Sequence, residues 1–206
     1  MITLNYPNMV IWIYNIAKGR YKDMAIRGRN FALRNSLGYF ESFSAHNSTG
    51  KNVCIFLSHI SVDKAAVTQI GDYIQEAGFN IYLDINDESL QRAVADNDAA
   101  RITAAIEKGV SNSSHMMCIV SEATKDSWWV PYEVGYGKKS NKELSTLALR
   151  NVTSLPDYLK ITYKIEGVIG LNKYLNSIRK GSTSYEYLTE STNYYHSLNP
   201  YLKIDR

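Results

Sequence analysis

Cysteine is scarce in this chain: Cys54 and Cys118 are the two among 206 residues, and each sits inside an apolar run, VCIFL and MMCIV. So placed, they read as free, buried thiols of a reducing, cytoplasmic compartment rather than as a disulfide framework. Histidine is sparse as well. His46, His59, His115 and His196 are scattered without ligand spacing or a cysteine cluster, so no metal site is expected. Net charge is low, +3 from 23 basic and 20 acidic residues, and the chain lacks the basic stripe of a dedicated nucleic-acid binder. No apolar run is long enough to span a bilayer. Met9 to Ala17 (MVIWIYNIA) is too short, and Lys18, Arg20, Lys22, Arg27 and Arg29 follow it, the wrong order for a cleaved signal. That segment reads either as an extension packing on the main domain or as a weak membrane-surface contact. Met24 is an alternative natural start.

What is present is enough apolar content, 45%, for one ordinary core with extensions. A polar, turn-rich HNSTGKN (His46 to Asn52) separates residues 1–50 from an apolar run at Val53 to Leu57 that opens the main domain, 51–180. Further strands are predicted at Asn80 to Asp84, Met116 to Val120 and Leu144 to Leu149, with a short fifth near Tyr158 to Thr162. Helices are predicted through Val67, Ile70, Ile74 and Ala77 up to a stop at Gly78, over Ala99 to Gly109, from Trp128–Val130 to Lys139, and over Ile165 to Ile178. Ile85 to Asp98 reads as a polar, carboxylate-rich loop, and 181–206 as a Tyr-rich tail. Continuous apolar strands alternating with helices imply an α/β, doubly wound, flavodoxin-like parallel five-stranded sheet.

Ligands of such sheets bind at the strands' carboxyl ends. The residues falling there are Ser58, His59, Ser61 and Asp63, then Asp84, Asn86, Asp87 and Glu88, then Ser121 to Trp129. Within the last group SWWVPYEVG stands out. Pro131 suits a helix's first turn, where N–H groups have no partner. That places Trp129 and Glu133 one turn apart on one face, an aromatic plate beside a carboxylate that suits a flat cationic ring. The same pair also reads as a core tryptophan with an acid complementing the helix N-terminus. His59 reads either as a loop histidine or as a pocket residue, and Asp84 as a strand-ending cap partner or a site residue. Asp84, Asp87 and Glu88 together would suit a phospho-acceptor domain, but no lysine ends a late strand.

In this order, VCIFLSHISVDK, FNIYLD with its polar loop, MMCIVSEATKDSWWVPYEVGYGKK and LPDYLK resemble a prokaryotic TIR domain over about Lys51 to Lys180. The resemblance implies one of two functions. One is cleavage of NAD, as substrate and not cofactor, at the bond to nicotinamide, yielding ADP-ribose or a cyclic ADP-ribose-type signal. The alternative is a non-catalytic scaffold working through homotypic TIR–TIR assembly. By the family pattern Glu133 is catalytic, and Phe56, Ser58, His59, Asp84 and Trp129 fall to the substrate site. Many members carry an arginine soon after the first strand; here His59 stands there and the next arginine is Arg92. The stand-alone form resembles the TIR subunit of Thoeris-type antiphage systems, which implies a homo-oligomer, a phage-derived trigger and no membrane span.

One carboxylate suffices for such chemistry. A glycosidase needs an acid to protonate its alkoxide leaving group, whereas nicotinamide leaves NAD as a neutral base. The remaining task is electrostatic: to steady positive charge growing on the ribose.

Overall fold

The computed structural model describes residues 27–33, 53–179 and 196–204. Its centre is a parallel sheet in the order β2-β1-β3-β4-β5, built from β1 (Cys54–Ser58), β2 (Asn80–Tyr82), β3 (His115–Val120), β4 (Glu143–Ala148) and β5 (Tyr163–Ile165). Strand alternation sends successive side chains to opposite faces, and here both faces are apolar because both are covered. Ile55, Leu57, Met117 and Ile119 pack under α1 (Lys64–Glu76) and α5 (Gly167–Ile178). Cys54, Phe56, Met116 and Cys118 pack under α2 (Glu88–Ala95), α3 (Ala99–Asn112) and α4 (Trp129–Lys139). The doubly wound α/β expectation holds.

Local chemistry explains where boundaries differ from expectation. Gly78 ends α1 with φ 87°, which glycine adopts freely. Gly109 does not end α3, which runs on to Asn112. An added Cβ there would lie 2.6 Å from the Tyr82 ring and 2.9 Å from that of Phe56, so this glycine is the point where α3 presses on the sheet. The stretch read as a polar loop contains α2. The Asp87 carboxylate accepts from the Ser89 and Leu90 amides as N-cap, and Leu90 and Ala93 anchor the helix. The fifth strand lies later than expected, because Asp157–Leu159 forms a 3-10 turn after Pro156 and the Thr162 hydroxyl closes on the Leu159 carbonyl at 2.7 Å. Accordingly α5 starts at Gly167, φ 66°, and Ile165 belongs to β5.

Segments outside the central stretch also join the body. Asn30 bridges Ile81 in parallel, with Phe31 N–H donating to the Ile81 carbonyl and Ile81 N–H to that of Arg29, both at 2.9 Å, so residues 27–33 cover the open edge of β2. Near the other end, Leu198 and Leu202 are fully buried against the α1/α5 face, and Leu202 bridges Leu149. Met9 to Ala17, the HNSTGKN segment and most of the Tyr-rich tail lie outside the described residues. Among the described residues no helix is long and apolar enough to cross a membrane.

Candidate active site

Alternation decides which polar groups meet. Ser58 continues the Cys54–Phe56 face of β1, and its backbone is in register with Cys118 of β3. From α4, Glu133 points down onto the same spot. Helix α4 begins at Trp129, with Ser127 Oγ accepting from the Val130 amide at 3.1 Å and Pro131 in the first turn, where its missing N–H costs nothing. Trp129 stays 39% exposed and meets Tyr132 edge-on, while Glu133, one turn on, is only 3% exposed. Tyr132 donates to Glu107 at 2.6 Å and Tyr136 shares a hydrogen bond with Ser111 at 2.9 Å, which fixes α4 against α3.

The Ser58 hydroxyl donates to Glu133 Oε2 at 2.5 Å, and Ser58 is itself 1% exposed. Burial drives the Glu133 carboxyl up to about 8; the negative charge of Asp84 pushes the same way, and the Ser58 hydrogen bond opposes both. Asp84, just past β2, is also raised by burial, with His59 opposing and Asp87 adding to the rise. His59 Nδ1 lies 3.1 Å from the Leu57 carbonyl and 3.7 Å from Asp84 Oδ1. Ser58, His59, Asp84 and Glu133 thus form one group at the carboxyl edge of the sheet, with Trp129 on its outer side.

Phe56 is not brought to that group. Its ring is fully buried and stacked on Tyr82 at 5.8 Å, because α3 closes over it at Gly109. Asp87 is committed as the α2 cap and as acceptor of the Tyr82 hydroxyl at 2.5 Å, which removes it from any phospho-acceptor cluster. Two residues of the group escape the sequence reading. Cys118 lies beneath Glu133, its thiol raised to about 12 by burial and by the Glu133 charge. Tyr158 is the other: placing a strand at Tyr158 to Thr162 concealed that LPDYLK turns a phenol inward. Both cysteines are free and buried, and no three His, Cys, Asp or Glu among the described residues gather to hold a metal.

Glu133 is enclosed rather than open to solvent. A cavity of about 340 Å³ lies by the β2 edge, lined by Arg27, Asn30, Asp72 and Gln75, and one of about 240 Å³ by His115, Glu143, Tyr163 and Tyr174; neither reaches Glu133. A buried carboxyl with one hydroxyl donor becomes a strong electrostatic element once ionised, since charges interact more strongly away from bulk water.

The five-stranded parallel sheet is that of a TIR domain, and residues 55–168 match the TIR domain family model; the chain belongs to that family. Among characterised relatives it is similar to a probable 3' cyclic ADP-D-ribose synthase, ThsB', of Bacillus cereus (strain MSX-D12), with 30% identity over 83 residues. That alignment covers 40% of this chain and 42% of the relative's length.

Proposed function

We propose that this chain cleaves NAD between nicotinamide and ribose and releases an ADP-ribose product, cyclic or linear, as a signal in bacterial antiphage defence within the cytoplasm. The observation that carries the reading is the buried Ser58–Glu133 pair at the ligand-binding edge of the sheet. The likeness to the Bacillus cereus protein, a probable 3' cyclic ADP-D-ribose synthase, supports it.

In this mechanism the C–N glycosidic bond breaks and its electron pair leaves with nicotinamide as a neutral ring. Glu133 accepts hydrogen bonds from the ribose hydroxyls and stabilises the ribosyl cation. With its carboxyl near 8, Glu133 is mostly neutral in the free protein at pH 7. The pyridinium charge of NAD favours the carboxylate, so substrate ionises its own catalyst. Trp129, exposed enough to stack, holds an aromatic base. Capture of the cation by an adenosine nucleophile gives a cyclic product; capture by water, which then loses a proton, gives ADP-ribose.

The test is to incubate the purified protein, and lysate of infected cells, with NAD and to separate the products beside Glu133→Gln. Wild type should release nicotinamide and Glu133→Gln at least a hundredfold less, in line with losing a principal electrostatic group. Equal release from both removes Glu133 from the mechanism. A scaffold reading draws on the enclosure of Glu133 and on the exposed Trp128 and Val62, 91% and 75%. It requires that Glu133→Gln keep the protein's defence function intact while changes in Ile85 to Asp98 abolish it.

A further inference from the structure

Buried polar side chains normally find hydrogen-bond partners, so each orphan calls for an explanation. The Tyr158 hydroxyl is one: it is buried and has no hydrogen-bond partner among the described residues. Its position gives the orphan meaning. The Asp157–Leu159 turn packs against α4, and Leu159, 1% exposed, belongs to the same apolar cluster as Val130, Val134 and Cys118. The turn thereby sets Tyr158 against the helix that carries Glu133. Burial raises the phenol's pKa, and the charges of Cys118 and Glu133 raise it further, so both groups act on it electrostatically.

Ser58 from β1 is hydrogen-bonded to Glu133, and the groups electrostatically linked to it are Cys118 from β3, Asp84 beyond β2 with His59 3.7 Å from that acid, and Tyr158 from the β4–β5 connection. Ser58 supplies one hydrogen bond to the carboxyl. An ionised carboxylate accommodates about four, and a thiol is a poor donor. Asp84 repels. Tyr158 brings an orphaned O–H to the helix that carries Glu133, and a neutral carboxyl gives it little reason to turn.

We infer that Tyr158 is a positioning residue for Glu133: its hydroxyl swings to donate to the carboxylate once Glu133 ionises, and holds the acid in its charged, working form. Its consequence for turnover rests on the NAD-cleaving reading, whereas the hydrogen bond itself does not.

The test is Tyr158→Phe, which removes one oxygen and keeps the ring. With ¹³C-labelled glutamate, the Glu133 carboxyl resonance, assigned by its absence in Glu133→Gln, is titrated without substrate. A hydrogen bond to a charged group corresponds to about one pH unit or tenfold. The midpoint should therefore rise by about one unit in Tyr158→Phe. Nicotinamide release at pH 7 should fall about tenfold and recover toward pH 9, with KM within twofold. An unchanged midpoint overturns the inference. So does an activity loss equal at every pH, or a melting temperature well below wild type, since either assigns the phenol a packing role or a structural partner. A shifted midpoint in a protein that releases no nicotinamide supports the Tyr158–Glu133 pairing and refutes NAD cleavage instead.

Discussion

Glu133→Gln should stabilise the protein, and increasingly so as pH rises. The Glu133 carboxyl holds its proton to about pH 8 when folded and releases it near 4.5 when unfolded. Below 4.5 both states are protonated and the neutral, buried side chain contributes its full stability. Between 4.5 and 8 the unfolded chain gives up the proton and the folded chain keeps it, so stability falls with pH by about 1.4 kcal/mol per unit, and the loss is complete above 8. Over the interval that amounts to at most about 5 kcal/mol, and to about 4 kcal/mol at pH 7.5. For a chain of this size, 4 kcal/mol corresponds to roughly 10 °C in melting temperature. Glutamine has nearly the same shape and does not titrate; its carbonyl accepts from Ser58 and its amide can donate toward Asp84. Urea denaturation of both proteins at steps from pH 5 to 8 separates this effect from every shared group except Asp84, whose charge acts on Glu133 and whose own titration therefore changes with it. The wild-type curve should descend relative to the variant by about 3–4 kcal/mol. Curves that stay parallel across the window would refute the assignment of a raised, buried carboxyl.

Two changes far from Glu133 test how the fold supports it. Gly28→Ala would set a Cβ 1.7 Å from the Phe79 carbonyl oxygen, where backbone must move. It should release residues 27–33 from β2, seen as faster amide exchange at Phe31 and Ile81. Asp87→Ala removes the α2 cap and leaves the Tyr82 hydroxyl without this acceptor. It should cost about 1–2 kcal/mol in denaturant unfolding, with α2 amides exchanging first.

The parallel sheet was legible because strands covered on both faces read as unbroken apolar runs, as VCIFL and MMCIV do. Helix α4 was legible because Pro131 and Trp129 fix its first turn. What stayed hidden depended on partners distant in sequence. Helix α2 buries little beyond Leu90 and Ala93, so its carboxylates dominated the pattern, although Asp87 is there as the cap. Phe56 follows the strand rule into the core, and only the closeness of α3 at Gly109 shows that its ring is packed between helix and sheet. Tyr158 lay in a stretch with strand-like composition, and nothing local to it reveals that Pro156 turns the chain inward. Ser58 and Glu133, by contrast, were both placed at the strand ends by sequence, because alternation and helical phase are local rules.

Burial of Glu133 links stability and chemistry on the NAD-cleaving reading. A solvent-exposed glutamate would be ionised at all physiological pH and paired with water, leaving it little to offer a developing cation. Enclosed between α4 and the sheet, the same side chain is neutral at rest, and only a positive ring brought against it makes the charge worthwhile. That arrangement selects for NAD, with its pyridinium, over a reduced dinucleotide whose ring is neutral. An enclosed carboxyl must be uncovered before substrate can reach it, so whatever opens the carboxyl edge of the sheet beside Trp129 controls turnover without touching the chemistry. On that reading opening and ionisation are separable: opening sets how many molecules admit NAD, while Ser58, Asp84 and Tyr158 set how readily Glu133 becomes charged in each.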